Sequence, residues 1–510
     1  MSHTRNPRIC WMVYAFLLGL IVPPIGTAKI IYVNDDAVGA NNGTSWVNAY
    51  KHLQDALAAA GRDDEIWVAA GTYKPDQDTA YPSGRGSRSM SFDLKSNVGL
   101  YGGFAGHESS RGERDWPVNE TILSGDVLIP GWSNDNSYHV VTASSVDATA
   151  VLDGFTVTAG RADTGVSADD RNNFGAGMLN EHSGATVNNC LFIGNIARPQ
   201  GWGQGGAMYN DHGAPTLTNC TFKDNEGNQG GAIFNMASEP KLINCTLVGN
   251  KGTTETGGVF DLVGDSTFVN CLFRGNTAPF SGGAVWAHSG NATFVNCAFS
   301  GNSTGWAGGG VQAYNGGKVD LINCTFAGNR ASGSGDALLV QAAEVSMVNC
   351  IVWGGVELEG MPGAKTVLTV SHSDLLSVPV EGPGTSVEWG AGNIAADPCF
   401  VDSGYGPDEV FGTEDDNLRL LPDSPCIDTG DNSAVPADVT TDLDGNARIA
   451  NARVDMGAYE YGAGPDRPAT CTAYPAMDFN QDCKVDFRDF AIFVQSWLEC
   501  NLDPPEACWD

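Results

Sequence analysis

The chain has 510 residues, among them 65 glycines, with 17% charged and 42% hydrophobic side chains, a balance that favours a large, turn-rich β body with smaller appended modules. Its 60 acidic against 27 basic side chains leave a formal net charge of −33, which repels phosphate backbones and anionic membranes and excludes nucleic acid as an expected partner. Such a surface suits divalent cations, or simply keeps a large protein soluble.

In chain order, His3, Arg5 and Arg8 precede an apolar run from Cys10 to Val22, followed by Pro23, Pro24 and Gly26-Thr27-Ala28. This predicts a signal peptide over 1–28 and a secreted protein, extracellular or attached to a bacterial cell surface. As a helix the run would span about 20 Å against a bilayer core of about 30 Å. No later segment is apolar for longer, so no membrane span is expected in the mature chain. Within 29–149, Tyr50 to Ala60 places Leu53, Ala56, Leu57 and Ala60 at helical spacing, and Glu65 to Ala69 reads as the first strand.

Residues 150–396 carry an internal repeat. Asn-Cys pairs recur with the cysteines at Cys190, Cys220, Cys245, Cys271, Cys297, Cys324 and Cys350. Gly-rich steps keep the same period at Gly205-Gly206-Ala207, Gly230-Gly231-Ala232, Gly257-Gly258-Val259, Gly282-Gly283-Ala284 and Gly308-Gly309-Gly310. A unit of about 26 residues made of short alternating segments cannot bury a face alone, so it must stack on its neighbours as one coil of about three strands. Stacking puts identical residues about 4.8 Å apart. The cysteines then read as small buried hydrophobes, with bridges or metal ligation as the competing readings.

Stacking also brings chemistry together. Aligning GAGMLNEHSGATVNNC with GGAMYNDHGAPTLTNC sets Glu181 over Asp211 and His182 over His212, a set of groups fit for acid/base work or a metal, or else a solvated polar turn. The same register gives an outward aromatic column, Tyr209, Phe234, Phe260 and Trp286, which an extended glycan could stack on unless a loop covers it. Insertions at 161–174 and 197–204, the second with Trp202, are expected to wall a cleft over this face.

Residues 397–462 leave the repeat. Cys399 and Cys426 are candidates for a bridge, and Asp442, Asp444 and Gly445 for an acidic turn or an ion site. After a Gly/Pro-containing linker, 463–510 contains DFNQDCKVDFRDF, where Asp478, Asn480, Asp482, Asp486 and Asp489 fall at positions one, three, five, nine and twelve of an EF-hand-type loop and Lys484 offers its carbonyl at seven. Calcium is the expected cofactor, with an acidic turn ahead of a helix as the plainer reading. Cys471, Cys483, Cys500 and Cys508 allow two bridges in three pairings.

The NCxFxxN and GGA repeats resemble the right-handed parallel β-helix proteins related to pectate lyases and polymorphic outer-membrane proteins, over roughly residues 30–400. The resemblance implies an all-β solenoid whose N-terminal helix caps the open end, with 397–462 as closing segment. The segment 463–510 looks like one half of a dockerin module, which implies a small α-helical calcium-loop unit and a cohesin-like or sorting partner. Cys483 in place of the sixth-position glycine, and the lack of a second loop, depart from that pattern. The expected function is binding of extracellular polysaccharide or surface glycan. Competing readings are a polysaccharide lyase or glycoside hydrolase built on Glu181, His182, Asp211 and His212, and a purely structural adhesin.

Overall fold

The computed structural model describes residues 28–164, 170–197, 203–402, 408, 410–413 and 415–462. Residues 1–27, Trp202, and the whole of 463–510 with Asp478, Asn480, Asp482, Lys484, Asp486 and Asp489 lie outside the described residues.

From Ile30 to Trp389 the chain winds into a parallel β-helix with sheets of 13, 11, 10 and 7 strands among the described residues. One coil shows the plan. Met208–Asp211 lies in the 10-strand sheet, Thr216–Thr218 in the 13-strand sheet, Thr221–Lys223 in the 11-strand sheet and Glu226–Gln229 in the 7-strand sheet. Each segment pairs in parallel with its equivalents one coil before and after, for instance Phe192 with Phe222 and Phe222 with Leu247. Alternation sends Met208, Leu217 and Phe222 inward, where they are fully buried. Stacked rings then run down the core: Phe273 to Phe299 at 4.7 Å and Phe299 to Phe326 at 4.4 Å between centroids.

The seven repeat cysteines form one internal column, all unbridged and buried. Each thiol donates to the carbonyl two residues upstream at 3.1–3.4 Å, so the turn takes a side chain small enough for the corner and able to satisfy a buried acceptor. The asparagine before each cysteine adopts φ between 51° and 55°, the left-handed region that asparagine tolerates. The final asparagine of the NCxFxxN repeat forms a second column. Asn195, Asn225, Asn250, Asn276, Asn302 and Asn329 point inward, and each amide donates to the Oδ1 of the next at 2.9–3.1 Å.

The glycine steps do two jobs. Gly205, Gly230, Gly282 and Gly308 have φ of 56–68°, and Thr256 at 48° takes that place in the coil where the sequence pattern had put Gly257 first. The following glycine allows close approach: a Cβ on Gly231 would lie 2.4 Å from Gly257 O.

The first strand is Ile30–Val33, parallel to Asp64–Ala69, so the strand expected at 65–69 is the second. Between them the helix Leu53–Ala59 buries Leu53, Ala56 and Leu57 in the same core as Ile31 and Ile66. The 397–462 segment runs back along the outer face of the 11-strand sheet. Asn349 Nδ2 donates to Asp431 O at 3.0 Å, Ala458 N to Thr325 Oγ1 at 2.9 Å, and Asn296 Nδ2 to Thr441 O at 2.7 Å. Cys399 and Cys426 are not bridged; the buried Cys426 thiol donates to Asp374 Oδ2 at 3.3 Å. Asp442 closes an acidic turn by accepting from Asp444 N and Asn446 N.

Candidate functional site

The register places Asn180 on Asn210 and Glu181 on Asp211, and the His182 and His212 rings stack at 5.4 Å, 9° apart. The four residues anticipated from the repeat therefore do meet. Both histidines have φ of 51°, which turns the chain out of the strand and leaves the imidazoles exposed while Asp211 is buried. His212 Nδ1 lies against Asp211 Oδ1.

Arg171, from the 161–174 insertion, completes the cluster. Its Nε lies 3.1 Å from Glu181 Oε1 and its Nη2 2.6 Å from Asp211 Oδ2. Burial opposes its charge, but Asp211 and Glu181 outweigh burial and hold the guanidinium above its ordinary value. One arginine thus clamps both carboxylates. No repeat position points to Arg171, because a loop delivers it.

The aromatic column exists in register, with centroid separations of 5.5 Å from Tyr209 to Phe234, 4.9 Å from Phe234 to Phe260 and 4.5 Å from Phe260 to Trp286. It is not an open ladder. Tyr209, Phe234 and Phe260 are 3%, 0% and 4% exposed, and Phe174 stacks on Tyr209 at 4.8 Å. Burial pushes the Tyr209 hydroxyl up to about 12. The glycine turn entering each strand lies directly on this face: a Cβ on Gly175 would come 3.0 Å from that of Tyr209, and one on Gly282 2.9 Å from that of Trp286. Three of the four rings named from the sequence are therefore core of a satellite cluster with Leu179.

Farther along, the same face opens. Trp286 is half-buried and packs edge-on to His288 at 5.3 Å, and His288 lies 4.9 Å from Tyr314. His288 and Tyr314 belong to the outward column that contains Glu181 and Asp211 and passes through Met236 and Leu262, so continuing the alignment would have found them. Two exposed aromatic residues stand on the turns leading into these strands: Phe280 is 49% and Trp306 62% exposed. They occupy adjacent coils, since Ala307 N donates to Phe280 O at 3.1 Å. Both lie in turns, where in/out alternation says nothing.

Comparison with known proteins agrees with the winding. A family model described as a right handed beta helix region matches residues 159–326 and 257–366. No curated protein matches the chain. Among solved structures the chain is similar to a pectate lyase, Pel9A, at 16% identity and a TM-score of 0.47, over 86% of this chain and 97% of that one. It is also similar to a rhamnogalacturonan lyase (11%, TM-score 0.35, 71% and 84% covered). A third likeness is to the catalytic unit of a thermostable GH87 α-1,3-glucanase from Streptomyces thermodiastaticus strain HF3-3 (12%, TM-score 0.30, 74% and 71% covered).

Proposed function

We propose that this right-handed parallel β-helix protein is secreted and binds extracellular polysaccharide or surface glycan. The observation that carries the reading is the pair of exposed residues on adjacent coils, Phe280 and Trp306, in the turns that lead into the strands bearing the half-buried Trp286, His288 and Tyr314. Sugar faces stack on aromatic faces, and rings at coil spacing suit a chain that extends along the solenoid. At the N-terminal end, the helix that sinks Leu53, Ala56 and Leu57 into the core is read as cover for the first coil.

Retention on insoluble polysaccharide tests this. Phe280→Ala with Trp306→Ala is expected to lose retention, while Glu181→Gln with Asp211→Asn keeps it. Equal retention of the ring variant removes the reading. Release of oligosaccharide by the wild type, abolished by the carboxylate pair in a folded protein, makes it a lyase or hydrolase. Adhesion without glycan preference makes it a structural adhesin.

The reading assigns 463–510 to attachment through one calcium ion held by Asp478, Asn480, Asp482, Lys484, Asp486 and Asp489, with a cohesin-like or sorting partner. Its support is the ligand register alone. Calcium titration of the full chain is expected to show one site in the range of about 10⁻⁴ to 10⁻³ M, absent in Asp478→Ala with Asp482→Ala; identical heats from both proteins refute the site.

A further inference from the structure

On another flank, a cleft of about 520 Å³ lies between the 11-strand sheet and the returning 397–462 segment, a volume within the range of small-molecule sites. Its floor is the outward side of two adjacent coils, with Thr246, Leu272 and Arg274; its wall carries Asp416, Arg419 and Tyr459.

Most charges in the cleft are accounted for. Arg419 grips Asp444, with Nε 2.6 Å from Oδ2, and lies over the Tyr459 ring at 5.1 Å. Asp442 is taken up by the backbone N–H groups of its own turn and by Glu460 N. Two groups are not. Arg274 forms no ion pair among the described residues, and its Nε is buried without a hydrogen-bond partner. Its register partner on the next coil is Ser300, whose hydroxyl donates to Asp416 Oδ2 beside Gly412 N. Asp416 Oδ1 is left buried without a partner. A cationic donor and an acceptor thus attract each other by charge with no hydrogen bond joining them, and leaving their buried Nε and Oδ1 atoms unpaired costs stability.

A group that accepts from one and donates to the other is a hydroxyl, and two neighbouring hydroxyls serve both at once. The amides of Asn244 and Asn270 and the Thr441 hydroxyl add neutral polar groups around them. An anion fits worse: with Arg419 neutralised by Asp444, the carboxylates of Asp416 and Asp442 outnumber Arg274, the one cation without an ion pair among the described lining residues. We propose that this cleft binds a neutral sugar ring whose adjacent hydroxyls accept from Arg274 and donate to Asp416. The ligand class rests on the glycan reading above; the site does not share a residue with it.

Cellotetraose, mannotetraose and xylotetraose, each up to about 10 mM, are titrated into the full secreted chain by calorimetry. At least one is expected to bind, about tenfold more weakly to Arg274→Met and to Asp416→Asn, and unchanged to Phe280→Ala with Trp306→Ala. Because Arg274 makes no ion pair or hydrogen bond among the described residues and is attracted to Asp415 and Asp416 only at longer range, Arg274→Met is expected to unfold close to the wild-type temperature. Wild-type affinity in both cleft variants, binding of tetragalacturonate alone, or destabilisation by Arg274→Met overturns the inference. If no tetrasaccharide binds while the wild type is still retained on insoluble polysaccharide, the cleft falls and the ring surface stands; loss of retention with tetrasaccharide binding intact gives the converse.

Discussion

Asp261 interrupts a column of amides. Asn180 donates to Asn210 at 2.7 Å and Asn210 to Asn235 at 2.8 Å, and the register makes Asp261 the next member. It is 1% exposed. Burial pushes its carboxyl up to about 7, so the folded protein holds a proton there that the unfolded chain, titrating near 4, has released. The stability contributed by that proton is complete below about pH 4 and is lost as pH rises through 7. Asp261→Asn is expected to flatten this dependence and to stabilise the protein at pH 8 by roughly 1–3 kcal/mol, measured by urea unfolding at pH 5 and pH 8; equal slopes for both proteins would refute it. The functional cluster shows the same division between register and environment. Glu181, Asp211, His182 and His212 could be placed together from the repeat because stacking fixes one coordinate of every residue, whereas Arg171 needed the path of a loop.

A single coil reveals why the fold was legible and part of its surface was not. The Asn-Cys and glycine periods state where the chain turns, and alternation states which side chains point inward. Alternation does not state what lies over the outward ones. Tyr209, Phe234 and Phe260 point outward and are still buried, because the glycine turns that mark the period fold onto them. Those turns make a direct test. A Cβ on Gly231 would sit 2.4 Å from Gly257 O and 2.5 Å from Lys251 C, backbone atoms that cannot yield without moving the stack. Gly231→Ala is expected to cost roughly 2–3 kcal/mol. Gly112→Ala, where nothing lies within 4 Å, is expected to stay within about 0.5 kcal/mol of wild type. Similar unfolding midpoints for the two variants would show that close coil approach is not what the glycine provides.

Across the whole molecule, the returning segment is where ionisation and architecture meet. Arg448 is 1% exposed and pairs with Glu460 at 3.1 Å. Burial, with Asp455 adding, pushes Glu460 up to about 8, and burial pushes Asp455 up to about 6. Both folded values exceed the unfolded ones, so the segment's hold is fullest below about pH 4 and weakens as pH rises through 6 and then 8. Amide exchange over 428–460 is expected to quicken, after correction for intrinsic rates, between pH 6 and pH 9, and Glu460→Gln to suppress most of that change; an unaltered profile in Glu460→Gln would refute the assignment. The route of this segment also decides how the molecule carries tension. The chain reaches residue 462 just after Ala458 docks on Thr325, several coils short of the last strand, Thr385–Trp389. A pull on residue 462 is therefore delivered to the flank of the solenoid, where bonds from Asn296, Asn323 and Asn349 hold the segment, and not to the terminal coil.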